Sequence, residues 1–81
     1  MTTTGYLAYA IYNLDDGADF SPLGVYGDKD TAIDMLVTEM ETYGDDDFNT
    51  DKVYSMFHKN NVVYAEDYSS KFAYTKIDVE L

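Results

Sequence analysis

One segment of this chain, residues 29–43, has the apolar periodicity of a helix, and strand-like segments lie on both sides of it. Its apolar residues recur at three- and four-residue steps and form one stripe: Ala32, Ile33, Leu36, Val37, Met40 and Tyr43. Asp28 stands at the N-cap position, and Gly44 stands where a left-handed C-terminal cap is expected. The pattern predicts a helix over residues 29–43 that packs by its stripe on a sheet.

The residues before this helix predict a hairpin. Residues 6–12 form a bounded run, Tyr-Leu-Ala-Tyr-Ala-Ile-Tyr, which is typical of a central strand in which Leu7, Tyr9 and Ile11 share one face. Residues 13–21 are rich in turn formers, and Pro22 limits the next strand, residues 23–26, to an edge of the sheet or to a late start. We therefore expect two strands joined by a long acidic loop.

Three further strands are expected after the helix. Residues 53–58 carry the β-branched and aromatic side chains of a strand, and Asn60 with Asn61 suits a two-residue turn into residues 62–66. Residues 72–81 alternate apolar with charged side chains in their second half. The predicted fold class is α+β: one domain over residues 1–81, in the order β-β-α-β-β-β, with a single antiparallel sheet and one helix on one face.

The negative charge of the chain is confined to one region. The formal net charge is −11, and 12 of the 16 acidic residues lie between positions 15 and 51, where Lys29 is the only basic residue. Such a surface repels nucleic-acid phosphates and anionic lipid, so we expect no direct binding of nucleic acid or membrane. A field of one sign favours fast association with a cationic partner, and solubility alone needs less charge.

Nine acidic residues are the candidate partner-binding set. Those on the helix lie on the face opposite the apolar stripe, where a four-residue step advances about 6 Å, close to the spacing of phosphates. For the helical residues alone, an ordinary solvated face is the alternative interpretation. The full set is Asp15, Asp16, Asp19, Asp30, Asp34, Glu41, Asp45, Asp46 and Asp47.

The other chemistry-bearing residues do not form the pattern of an active site or a metal site. Residues 45–51 partly follow a calcium loop, but Thr50 occupies the position of its glycine and Met56 that of its bidentate glutamate. His58 falls in a predicted strand, and no nucleophile motif surrounds a serine. With no cysteine for zinc and no arginine to clamp an anionic substrate, we expect a non-enzymatic protein with no cofactor and no metal.

Tyrosine supplies a second candidate interface. The chain has nine Tyr and four Phe, and one helix can cover only one face of a sheet, so some aromatic side chains are expected on the open face, with Tyr6 and Tyr12 among the candidates. The alternative function is a small acidic homo-oligomeric accessory protein, a homodimer in its simplest form, that uses this face or an edge strand. Its interface residues would be Tyr54, Tyr64 and Tyr74.

The strand over residues 6–12, the segment Leu-Gly-Val-Tyr-Gly-Asp-Lys-Asp-Thr-Ala at residues 23–32 and the strand-rich tail together resemble small phage and prophage proteins. Among these, the size and charge are similar to anti-defence inhibitors, such as anti-CRISPR and anti-restriction proteins, several of which mimic DNA. The resemblance implies a non-enzymatic inhibitor that occupies the basic nucleic-acid-binding groove of a host defence protein. With no apolar run long enough to span a membrane and no signal-peptide pattern at the start, we expect it in the bacterial cytoplasm.

Overall fold

The computed structural model describes residues 1–43, 49–65 and 69–80. Within these ranges the strands form one antiparallel sheet in the order β2-β1-β4-β3. The elements along the chain are β1 (Thr2–Tyr12), β2 (Asp19–Tyr26), α1 (Lys29–Tyr43), α2 (Thr50–Lys59), β3 (Val62–Tyr64) and β4 (Lys71–Glu80). The α+β class, the single antiparallel sheet and the central position of β1 are confirmed. The predicted order is wrong, because the described residues contain four strands and two helices in the order β-β-α-α-β-β.

The first helix has the predicted bounds. Asp28 caps it, because Oδ1 of Asp28 accepts a hydrogen bond of 2.8 Å from the backbone N–H of Thr31. The predicted stripe is buried from Ala32 to Met40. The predicted cap at Gly44 and the side chain of Tyr43 lie outside the described part of the chain.

The segment predicted as a strand over residues 53–58 is instead part of α2. Oδ1 of Asn49 accepts a hydrogen bond of 3.0 Å from the backbone N–H of Lys52 and so caps this helix. Val53 and Phe57, four residues apart, are its buried side chains. Their β-branched and aromatic side chains favour a strand. The helix forms because the four-residue spacing buries both side chains on one helical face and because Asn49 caps its first turn.

The predicted hairpin turn at Asn60 and Asn61 is also wrong. The backbone N–H of Asn60 donates a hydrogen bond of 2.8 Å to the carbonyl of Met56, so this residue ends α2. The following strand β3 pairs with β4 and with no earlier strand. It covers fewer residues than predicted, and Glu66 at the predicted end lies outside the described ranges.

The first hairpin is tighter than predicted. The carbonyl of Asn13 accepts hydrogen bonds of 2.9 Å from the backbone N–H groups of both Asp16 and Ala18, which closes the turn. The second strand therefore starts at Asp19 and includes Pro22, with a register shift in its pairing with β1. Its place at the sheet edge agrees with the prediction, since a proline is tolerated there.

Both helices pack on one face of the sheet and leave the other face without a helix. Ala8 and Ala10 of β1 and Phe72 and Tyr74 of β4 belong to the buried cluster that contains the helix stripe. Side chains alternate along β1, so Leu7, Tyr9 and Ile11 lie on the face without a helix, where they are half-buried. They share one face, as predicted. No helix in the described residues is long and apolar enough to cross a membrane.

Candidate partner-binding surface

Three predicted acidic residues lie along one side of α1. Asp30, Asp34 and Glu41 are exposed, and helical spacing places them on one flank of the buried stripe, on the side of α1 that contacts α2 through Asp34. The predicted position opposite the stripe is occupied instead by threonines: Thr31, Thr38 and Thr42. At 1.5 Å per residue, the row extends over about 16 Å. This part of the candidate set is therefore a row of three carboxylates, with a gap of about 10 Å along the helix between Asp34 and Glu41.

The acidic residues of the first hairpin lie at the end of the molecule where α1 finishes. The hydroxyl of Tyr12, at the end of β1, donates a hydrogen bond of 2.8 Å to Oε1 of Glu39 in the C-terminal half of α1. The turn that follows carries Asp15 and Asp16, and Asp19 begins β2. All three are exposed, and Nδ2 of Asn13 holds the Asp19 carboxylate at 2.9 Å.

We call the six described carboxylates the acidic surface. It consists of two parts, the row on α1 and the cluster at the hairpin: Asp15, Asp16, Asp19, Asp30, Asp34 and Glu41. The hairpin contacts α1 at Glu39, roughly 150° around the helix from Asp34 and Glu41. The other three candidates, Asp45, Asp46 and Asp47, lie outside the described residues, so their contribution stays a prediction.

The middle of the row is tied to the second helix. The hydroxyl of Tyr54 on α2 donates a hydrogen bond of 2.6 Å to Oδ1 of Asp34. This bond, burial, and the charges of Asp34 and Glu41 raise the pKa of Tyr54 above its ordinary value, because each disfavours the phenolate. The carboxylate of Asp34 is therefore held in place. The prediction that Tyr54 lies on the open sheet face is wrong, because this residue is on α2 and contacts α1.

The lysines of the two helices do not interleave with the acidic row. Lys29 lies over the ring of the buried Tyr74, with Nζ 5.7 Å from the ring centroid, so it is directed toward the sheet. Lys52 and Lys59 are seven residues apart and share one side of α2, roughly 150° around that helix from Tyr54. Since Tyr54 faces α1, these two lysines lie on the side of α2 away from it.

Of the predicted tyrosine interface, only Tyr64 is an exposed residue on the open face, with 48% of its surface accessible. Tyr74 is 8% exposed, and its hydroxyl donates a hydrogen bond of 3.1 Å to the carbonyl of Phe57. The pairing of β4 with β1 places it opposite Ala8, and this small residue leaves room for the ring beneath the helices. Tyr6 and Tyr12 also pack against the core and not on the open face.

Sequence reasoning missed two features of the site. Glu39 was not a candidate, because it lies at the margin of the apolar stripe, and only the contact with Tyr12 reveals its place near the hairpin cluster. The open sheet face carries Phe20 and Val25, exposed by 58% and 53%, in place of the predicted tyrosines. Period-two alternation alone would place Phe20 and Val25 on opposite faces, and only the register shift in the pairing of β2 with β1 brings them to the same face.

Residues considered for catalysis or metal binding have structural roles or are isolated. His58 is exposed in the last turn of α2 and not in a strand. The side-chain oxygen of Asn49, a position of the calcium-loop pattern, is engaged as a helix cap. In the part of the chain that the structure describes, no three His, Cys, Asp or Glu side chains are grouped so as to hold a metal ion.

Comparisons with protein families, with curated proteins and with solved structures gave no match to this chain. The functional conclusion therefore depends on the residues and their geometry.

Proposed function

We propose that this protein is a non-enzymatic inhibitor whose acidic surface occupies the basic nucleic-acid-binding groove of a host defence protein, such as a CRISPR effector or a restriction enzyme. The observation that carries the proposal is the one-sided row of Asp30, Asp34 and Glu41 on α1, to which the exposed carboxylates of the hairpin add charge of the same sign. Protein grooves that bind nucleic acid are lined by Lys and Arg, because they must neutralise phosphates. The row of carboxylates on α1 carries negative charge, as nucleic-acid phosphates do, and can therefore interact with the same basic side chains.

The hydrogen bonds around the acidic surface support this proposal. Tyr54 holds Asp34 and Asn13 holds Asp19, so two of the charges are positioned before any partner binds. Fixed charges lose less conformational entropy on binding than free side chains do. Oriented negative charge also speeds encounter with a basic partner and makes the affinity sensitive to salt.

Capture from a bacterial lysate with a matched pair of variants tests the proposal. Immobilised wild-type protein is expected to retain a nucleic-acid-binding protein that elutes as sodium chloride rises. Glu41→Lys changes an exposed charge within the acidic surface, and Glu80→Lys makes the same change at the exposed end of β4. We expect the first variant to release that partner at lower salt and the second to behave as wild type. Equal elution of the same partner from both variants would contradict the proposal.

Substitutions of Asp34 need a choice that respects its bond with Tyr54. Asp34→Lys removes both the charge and the hydrogen-bond acceptor, so a loss of binding could come from a displaced α2. Asp34→Asn keeps an acceptor oxygen and removes only the charge. Combined with Glu41→Lys, it is expected to weaken capture further while the helical circular dichroism stays unchanged.

A second candidate function is a protein-interaction module that uses the open sheet face. The exposed side chains of Phe20, Val25 and Tyr64 on this face favour it, since aromatic and aliphatic residues are typical of the centre of an interface. Under this alternative, Phe20→Asp and Tyr64→Asp abolish capture, and Glu41→Lys leaves it intact. The acidic-surface proposal predicts the opposite pattern.

A further inference from the structure

The two longest strands form an arm that extends beyond their neighbours. Strands β1 and β4 pair from Thr2 opposite Glu80 to Ile11 opposite Lys71. By contrast, β2 pairs with β1 only from Tyr6 onward, and β3 pairs with β4 only over residues 71–73. Residues 2–5 and 77–80 are therefore a two-stranded ribbon. Such a ribbon is marginally stable in water by itself, and its outer edges are suited to pairing with another strand.

The outer edge of β4 has a defined orientation. The backbone N–H of Tyr74 donates a hydrogen bond of 3.1 Å to the carbonyl of Asn61, on the side away from β1. Backbone groups alternate along a strand, so Lys76, Asp78 and Glu80 also direct their N–H and C=O groups to that side. In the described ranges no strand lies beside this edge beyond Tyr74.

The charges on this edge select one way for two copies to pair. About a two-fold axis, antiparallel β4 strands must place residues of the same sheet face opposite each other. With the axis at Ile77, Lys76 of each copy lies opposite Asp78 of the other. Moving the axis to Lys76 or to Asp78 would place like charges opposite each other, which is destabilising. The hydrogen bond from Tyr74 to Asn61 marks one end of the free edge. The rest of this edge covers residues 75–80, and Ile77 lies near its centre.

We propose that the outer edge of β4 is a homodimerisation edge that pairs with β4 of a second copy about Ile77. Lys76 of one copy and Asp78 of the other exchange both backbone hydrogen bonds, and their opposite charges meet on the helix-side face of the sheet. Ile77 meets Ile77 of the second copy on the open face, with Val79 and Thr75 beside them. The negative charge between positions 15 and 51 lies outside this edge. The inference goes beyond the proposed inhibition and does not depend on it.

Single-cysteine variants test the register directly, because the chain has no cysteine of its own. At the axis the two Cα atoms of residue 77 would be about 4.5 Å apart, which allows a disulfide. The two copies of residue 79 would be roughly 14 Å apart, which does not. Under mild oxidation we expect Ile77→Cys to form a covalent dimer and Val79→Cys to stay monomeric. No cross-link at position 77, or equal cross-linking at both positions, overturns the proposal.

Charge exchange tests the same contact without a covalent link. In light scattering, wild-type protein is expected at twice the chain mass of 9.2 kDa. Lys76→Asp is expected to raise the dimer dissociation constant by about tenfold or more, since two attractive pairs become repulsive. The double variant Lys76→Asp with Asp78→Lys restores the pairs and is expected to restore the dimer. A wild-type monomer at all concentrations overturns the proposal, as does a dimer that Lys76→Asp leaves unchanged, which would instead indicate the open sheet face.

Discussion

The hydroxyl of Tyr54 on α2 lies 2.6 Å from Oδ1 of Asp34 on α1 and donates a hydrogen bond to it. This contact joins the two helices at the middle of the acidic row on α1. Asp34 therefore has two roles: it supplies charge to the proposed binding surface, and it positions the helix that follows. The stability of α2 and the charge of the surface are coupled through this one carboxylate.

Tyr54→Phe is expected to lower the free energy of unfolding at neutral pH by about 1 kcal/mol or less, because an exposed hydrogen bond contributes little net free energy. Urea unfolding followed by circular dichroism measures the change. Tyr9→Phe, on the other face of the sheet, is the matched control and is expected to have a smaller effect.

Tyr54→Phe also tests how this hydrogen bond depends on alkaline pH. The hydrogen bond to Asp34 raises the pKa of Tyr54, so the stability it contributes is fully present below the ordinary value of 10.0 and is lost as pH rises through the raised value. The difference between wild type and Tyr54→Phe should therefore shrink above pH 10.0. A difference that grows with pH would contradict this assignment.

The cap of α1 predicts a dependence on acid. The backbone N–H and the hydroxyl of Thr31 lower the pKa of Asp28, so the stability that its charge contributes is present above 3.8 and is lost as pH falls through the lowered value. At neutral pH we expect thermal stability to decrease from wild type to Asp28→Asn to Asp28→Ala, since Asn keeps the cap without the charge. In acid, the advantage of wild type over Asp28→Asn should disappear. An advantage that persists at pH about 2 would refute the linkage.

The helical assignment of α2 predicts different effects at two asparagines. Asn49 caps the helix with its side chain, so Asn49→Ala is expected to cost about 1 kcal/mol of stability. Asn60 ends the helix through its backbone N–H, so Asn60→Ala should have little effect. Chemical denaturation of both variants measures the contrast. Equal effects would argue against a helix that begins at Thr50.

Part of the fold could be predicted from sequence because its signals agree with one another. The stripe of α1 and its cap at Asp28 both indicate the same helix start, and the run at residues 6–12 has too few polar residues for an edge strand. The second helix could not be predicted in the same way. Val53, Tyr54 and Phe57 have the propensity of a strand, and the cap at Asn49 was interpreted only as part of an acidic loop.

The exposure of the acidic residues on α1 was easier to predict than the positions of the tyrosines. Exposure of Asp30, Asp34 and Glu41 follows from helical spacing, which depends on local sequence alone. The position of Tyr74 depends on its partner across the sheet, Ala8, and this long-range register is not visible in the local pattern. The bond between Tyr54 and Asp34 depends on an unpredicted helix, so it could not be foreseen.

Clustered carboxylates predict that salt stabilises the free protein. Like charges four residues apart, such as Asp30 and Asp34, destabilise a helix by a few tenths of a kcal/mol at low ionic strength. Raising sodium chloride should therefore increase the thermal midpoint of wild type. Glu41→Lys should be more stable than wild type at low salt and less sensitive to salt, because it relieves repulsion near the C-terminal end of α1. A Glu80→Lys control that responds in the same way would contradict a localised effect.

Competition with DNA tests the central claim most directly. A fluorescent DNA duplex is bound to a nucleic-acid-binding protein that the wild-type chain captures, and the wild-type chain is then titrated in while anisotropy is followed. The account predicts that wild type and Glu80→Lys displace the duplex with equal potency, and that Glu41→Lys displaces it several-fold less well. A ternary complex, in which the duplex stays bound while the chain binds, would contradict the claim that the acidic surface occupies the nucleic-acid groove.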